Sequence, residues 1–196
     1  MPEKTWSAAI RELMDAAARH KLASGIAAGC AVLSLAAIAW AGTSSPATAA
    51  EPDPVAHTFS LPLLTRSGPA AARVSLSDYA GKPLIVNFFA SWCPPCQGET
   101  PLLARFYRGE HGKVALVGLD ENDTVGAAVK FITADKVGYP VAWDPGLSMV
   151  ADYGVDGLPQ TFFLNAQHQI VDHVIGPVNN ADLAKGVALA TRKAAK

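Results

Sequence analysis

Residues 84–101 read LIVNFFASWCPPCQGETP. The first part, LIVNFFA (84–90), is short, apolar and rich in β-branched and aromatic residues, which predicts a buried central strand. The second part opens a helix expected over 94–109. Prolines are tolerated in a first helical turn, where N–H groups lack a partner anyway. Pro101, further in, is expected to kink the helix. Cys93 and Cys96 therefore fall where a buried strand ends and a helix begins.

A pair spaced CxxC has several chemical uses. As a staple it closes a very short loop and restricts the unfolded chain little. Structural zinc generally needs four ligands, and His57, His111, His168 and His173 are scattered without ligand spacing. Transient Cu(I) held by two thiolates stays open as a side role. Redox exchange suits the position best. A cysteine at a helix N-terminus meets the positive end of the dipole and free N–H groups, and both stabilise the reactive thiolate. Cys93 has that place, and Cys96 lies one turn on, where it can resolve a mixed disulfide. Neither Pro94 nor Pro95 offers an N–H to the Cys93 sulfur, so the site is expected to be less oxidising than an otherwise equal one.

Outward from this junction, 57–61 and 72–76 are expected as two short strands around RSGPA, followed by a polar turn at SLSDYAGKP. Beyond the helix come a strand at VALVGLD (114–120), a helix at 125–136, a brief strand at 141–143 and a short helix at 148–154. Two strands around a turn near Asn165–His168 occupy 160–176, and a terminal helix with a basic last turn is expected at 181–195. Alternating strands and helices with a closing hairpin imply an α/β sheet with antiparallel edges.

The front of the chain is different. Residues 22–42 (LASGIAAGCAVLSLAAIAWAG) carry no charge, and about 20 apolar residues span a bilayer as a helix. Lys4, Arg11, Arg19 and Lys21 precede this run, and no Lys or Arg follows until Arg66. The positive-inside rule then places residues 1–21 in the cytoplasm and the rest outside. Residues 22–42 are accordingly expected to be a single-pass anchor. A cleaved signal sequence is the competing reading, since small residues follow in TSSPATAA (43–50). Residues 43–56 read as a linker and 57–196 as the folded domain. Cys30 reads as a small hydrophobe within the apolar run.

The whole chain has 196 residues, 50% of them hydrophobic and 17% charged, with a net charge of −1. That balance gives no electrostatic argument for nucleic acid. Three cysteines, one of them in the apolar run, are too few for a disulfide-stapled scaffold.

VNFFASWCPPC, followed by Glu99 and Pro101, resembles the thioredoxin superfamily. LSDYAGKP before it, CxxCxxExP within it and YGVDGLPQTFFLN (153–165) after it make the chain similar to the TlpA/ResA/CcmG-like membrane-anchored thiol-disulfide oxidoreductases, over about residues 57–192. The resemblance implies a thioredoxin-like fold with an N-terminal β-hairpin and a central αβ insertion, preceded by one transmembrane helix. It implies a redox-active Cys93–Cys96 disulfide and no other cofactor. Cys93 would be the nucleophile and Cys96 the resolving thiol. Pro159 would be a cis-proline beside the disulfide, and Trp92, Pro94, Pro95, Gly157 and Leu158 would line the client groove. Thioredoxin has a buried Asp where this chain has Asn87, which cannot accept a proton. Glu99, three residues after Cys96, is expected to be partly buried with a raised pKa and to relay the Cys96 proton.

The resemblance further implies a catalytic domain on the periplasmic or extracellular side of the cell membrane. Its clients would be proteins with cysteine pairs, in apocytochrome c or copper-site assembly, and its electron donor a membrane protein of the CcdA/DsbD type. A disulfide-forming oxidase and a copper-handling thioredoxin-like protein are the alternatives. A peroxiredoxin normally has Thr three residues before its cysteine, where this chain has Ala90. A Sco-type copper chaperone uses CxxxC.

Overall fold

A computed structural model describes residues 54–110 and 112–192. The expected cytoplasmic segment 1–21, the anchor 22–42 and most of the linker lie outside them. Among the described residues no helix is long and apolar enough to cross a membrane.

The strands are β1 (Ser60–Thr65), β2 (Gly68–Ser75), β3 (Leu84–Phe89), β4 (Ala115–Glu121), β5 (Val141–Asp144), β6 (Gln160–Leu164) and β7 (Ile170–Ile175). The helices are α1 (Pro94–Glu110), α2 (Val125–Ala134), α3 (Ser148–Asp152) and α4 (Asn180–Ala190), and a 3-10 turn covers Leu76–Tyr79. One sheet runs in the order β2-β1-β5-β4-β3-β6-β7. Strands β3, β4 and β5 are parallel, whereas β6, β7, β1 and β2 pair antiparallel. This is the thioredoxin-like α/β fold, with the hairpin β1–β2 docked on β5.

All six residues of β3 are buried, because it lies inside a sheet with a core on each face. Strand alternation sorts them. Leu84, Val86 and Phe88 join one core with Val117, Phe162 and Tyr153. Ile85 and Phe89 join the other, with Leu103 of α1, Phe131 of α2, Phe163 of β6 and Leu183 of α4. Asn87 lies between Ile85 and Phe89 in that alternation, so its amide points toward α1. A period of two thus delivers one polar side chain behind the cysteine helix.

The hairpin differs from expectation. Its strands are longer, and they turn at Arg66–Ser67 alone, with Thr65 opposite Gly68 and Leu64 opposite Pro69. Pro69 falls in RSGPA, which reads as the turn, and Pro62 lies just past the expected first strand. Pro69 is tolerated because β2 is an edge strand, and a register shift follows Pro62. Gly68 has φ +105°, a conformation suited to glycine. Pairing also begins before His57: the Ile170 N–H donates to the Pro54 carbonyl and the Ala56 N–H to the His168 carbonyl, both at 2.8 Å.

Helix α4 ends at Ala190, short of the expected 195, and has no basic last turn. Ala190 is its final residue in the core, and nothing apolar follows in TRK to hold another turn. At its start, the Asn179 side chain accepts the N–H groups of Ala181 and Asp182. Gly186 of α4 sits over Phe163, and a Cβ there would collide with the ring. Gly186→Ala is therefore expected to lower stability by about 1–3 kcal/mol despite the better helix propensity of alanine, as read from the urea midpoint. An unchanged midpoint would mean that α4 packs on β6 less closely than described.

Candidate active site

Strand β3 ends at Phe89, and α1 starts at Pro94 after four intervening residues. Cys93 occupies the position before the first helical residue. Its N–H donates to the Ala90 carbonyl at 3.2 Å, and its carbonyl accepts the Gln97 N–H at 3.1 Å. Cys93 and Cys96 form a disulfide, with Cα atoms 5.3 Å apart. Pro94 and Pro95 offer the Cys93 sulfur nothing, but the Cys96 N–H reaches it at 3.2 Å. One backbone donor therefore remains, where a helix start without prolines would present more. Cys93 is 3% exposed and Cys96 fully buried.

Glu99 lies on α1 one turn beyond Cys96 and is only 3% exposed. Its Oε1 accepts the Asn87 Nδ2–H at 2.8 Å, and its Oε2 accepts the Val178 N–H at 2.7 Å. Burial pushes its carboxyl up to about 7, against the opposing pull of the Val178 and Asn87 donors. Asn87 also donates to Thr161 Oγ1 at 3.0 Å. The residue in the place of thioredoxin's buried Asp thus orients a different acid instead of titrating itself. Among the described residues, no hydrogen bond joins Glu99 to either cysteine.

The Leu158–Pro159 peptide bond is cis. Register gives its place. Phe88 of β3 faces Gln160 of β6, so one further antiparallel step brings Pro159 level with Phe89, on the approach to Cys93. The Pro159 carbonyl accepts the Gly176 N–H at 3.0 Å. Leu158 packs against both cores, and Gly157 is exposed. Trp92 is 58% exposed, and Pro94 and Pro95 are exposed beside it. The Trp92 indole N–H lies 3.4 Å from the Asn122 carbonyl, so it stands over the β4–α2 connection.

Two polar networks had no counterpart in the sequence reading. In the first, the buried Gln160 side chain donates to Asp156 Oδ1 at 2.8 Å and pairs with His173 Nε2 at 2.9 Å. His173 stacks on Phe162 with centroids 4.0 Å apart. This ties both ends of the Gly157–Pro159 loop to β7. In the second, buried acids crowd the C-terminal ends of β4 and β5: Asp120, Glu121, Asp123 and Asp144. Burial, reinforced by Asp123, raises Asp120 to about 9. Burial, reinforced by Asp144, raises Glu121 to about 8. The only local signal was the polar run DEND (120–123), which reads equally well as a solvated turn. Among the described residues, no group of three or more His, Cys, Asp or Glu side chains is arranged to hold a metal ion.

Residues 53–173 match the AhpC/TSA family model. The chain is 34% identical over 135 residues to the thiol:disulfide interchange protein CycY of Rhizobium leguminosarum bv. viciae, covering 64% of this chain and 70% of that one. It is 32% identical over 105 residues to the thiol-disulfide oxidoreductase ResA of Bacillus thuringiensis (strain Al Hakam), covering 53% of this chain and 61% of the relative. Less than two thirds of that relative's length is therefore matched. Among solved structures, a thiol:disulfide interchange protein of Chlorobium tepidum superposes with a TM-score of 0.60 at 29% identity, over 72% of this chain and 97% of that one.

Proposed function

The chain belongs to the AhpC/TSA family, and from that premise we propose that it is a thiol-disulfide oxidoreductase acting on cysteine pairs of client proteins. The observation that carries this reading is the Cys93–Cys96 disulfide at the start of α1, backed by buried Glu99. In the reduced protein, the Cys93 thiolate attacks a client disulfide, forming a Cys93–client bond and releasing one client thiolate. Cys96 then gives up its proton and attacks Cys93. The second client thiolate leaves, and the Cys93–Cys96 disulfide forms. Two electrons pass to the client. Glu99, whose carboxyl is poised near neutrality, takes the Cys96 proton.

The finer assignment rests on the motif resemblance. Residues 22–42 would anchor the domain at the outer face of the cell membrane. The clients would belong to cytochrome c or copper-oxidase assembly, and a membrane donor of the CcdA/DsbD type would return the electrons. In an oxidising compartment a reductant depends on such a supply. Direction is tested in the native cell by acid quenching and thiol alkylation. The pair is expected to be mostly reduced. A mostly oxidised pair would overturn the reductant reading in favour of a disulfide-forming oxidase.

A further inference from the structure

Ser91, two residues before Cys93, is held at all three of its polar groups. Its N–H donates to Asp123 Oδ2 at 2.6 Å and its hydroxyl to Asp123 Oδ1 at 2.7 Å. Its carbonyl accepts the Gln97 Nε2–H at 2.8 Å, from the first turn of α1. One carboxylate thus grips one residue through both oxygens, at distances typical of charge-assisted bonds.

Asp123 is itself fixed. It is 5% exposed, and its carbonyl accepts the Trp143 indole N–H at 3.2 Å. The next residue, Thr124, caps α2 through its side chain. Behind it stands Asp120, fully buried, with neither oxygen accepting a hydrogen bond from a described donor. Asp123 lies close enough to reinforce the upward pull of burial on the Asp120 carboxyl. Both Asp123 oxygens are taken by the Ser91 donors. Asp120 lies opposite Phe89 in the β3–β4 ladder, one residue before the loop that carries Ser91. The ends of two neighbouring parallel strands therefore build the clamp.

We propose that Asp123 is a positioning residue for Cys93, gripping Ser91 so that the loop Ala90–Cys93 keeps its place while the Cys93–Cys96 bond opens and closes. This rests on the oxidoreductase reading and adds to it a support on the β4 side, 30 residues along the chain from the cysteine. Thiol-disulfide exchange needs the attacking sulfur aligned with the bond it breaks, and small misplacements are costly in rate. Both proline positions of the active-site turn lack N–H groups, so the turn has few hydrogen bonds of its own. External support matters correspondingly more.

The test uses the reduced full chain and a cystine-containing peptide. Asp123→Ala is expected to slow exchange about tenfold. Asp123→Asn, which still accepts the Ser91 N–H through one oxygen, falls between Ala and the parent. Ser91→Ala gives a smaller loss, and in the double variant Ser91→Ala adds nothing to Asp123→Ala, because the two act through one contact. The Ser91 amide proton resonance, shifted downfield by the short bond to a carboxylate, moves upfield in Asp123→Ala. Exchange at the parent rate in a folded Asp123→Ala variant would overturn the proposal, as would simple additivity with Ser91→Ala. If Asp123→Ala fails to fold, Asp123→Asn and Ser91→Ala carry the test, and parent rates in both overturn it. Loss of exchange in Cys93→Ser keeps the oxidoreductase reading intact whichever way Asp123 falls, and retention there overturns that reading instead.

Discussion

Cys93→Ser is expected to drop exchange to the uncatalysed background, whereas Cys96→Ser is expected to fill with mixed disulfides. The two sulfurs are neighbours but not equivalents. Cys93 precedes the helix and takes the Cys96 N–H on its sulfur, so its thiolate has both the dipole and a donor. Cys96 is fully buried one turn on, where an incoming protein cannot reach it. Without Cys96 the client stays bonded to Cys93, because nothing resolves the intermediate. Non-reducing gels of Cys96→Ser should show adducts that disappear on reduction and are absent from the Cys93,Cys96→Ser double variant. Adducts formed through Cys96 in Cys93→Ser would reverse the assignment. No adducts at all would favour a structural or metal role for the pair.

Glu99→Gln carries the second large effect, and it has two readouts. Resolution of the mixed disulfide should slow by about tenfold or more, since positioned acid–base groups contribute at least that much. The stability effect depends on pH. The folded-state pKa of about 7 lies above the ordinary value of 4.5, so the folded protein holds a proton that the unfolded chain has lost in that window. Stability therefore falls as pH rises from about 4.5 to about 7 and levels off above. The Gln variant lacks this term, and its stability relative to the parent should climb by up to about 3 kcal/mol across the window. Denaturant titrations at several pH values check this. A constant difference would mean that Glu99 titrates as an exposed acid does. Unchanged exchange with a changed pH profile would leave Glu99 as a buried acid without a relay role.

The strand-to-helix junction was legible because local patterns agree there: an apolar β-branched run, then prolines at a helix start. The burial of Glu99 was legible for a similar reason, since its spacing from Cys96 puts it near the same face of α1. Its partners were not, because Asn87 and Val178 come from β3 and the approach to α4, 12 and 79 residues away. The cis form of Pro159 followed from family resemblance, for no local feature of GLPQT demands it. The clamp on Ser91 was invisible for a physical reason. It depends on β4 lying beside β3 in a particular register, and register is set by packing of whole strands. The hairpin was misjudged in extent because RSGPA reads as one turn, whereas Gly68 and Pro69 pair within the edge strand β2, where a proline is acceptable. The terminal helix was overextended because alanine-rich sequence favours helix beyond the last residue that reaches the core.

Under the proposed reading, the pair is an exchange centre poised to reduce. Pro94 and Pro95 withhold two backbone donors from the Cys93 thiolate and leave it the Cys96 N–H. Less stabilisation of the thiolate means less stabilisation of the reduced form. The reduction potential of the Cys93–Cys96 couple, from equilibration with dithiol buffers, tests this directly. A value more negative than about −180 mV, the level of protein disulfide isomerase, is predicted. A value close to about −120 mV, that of the strong oxidant DsbA, would contradict it.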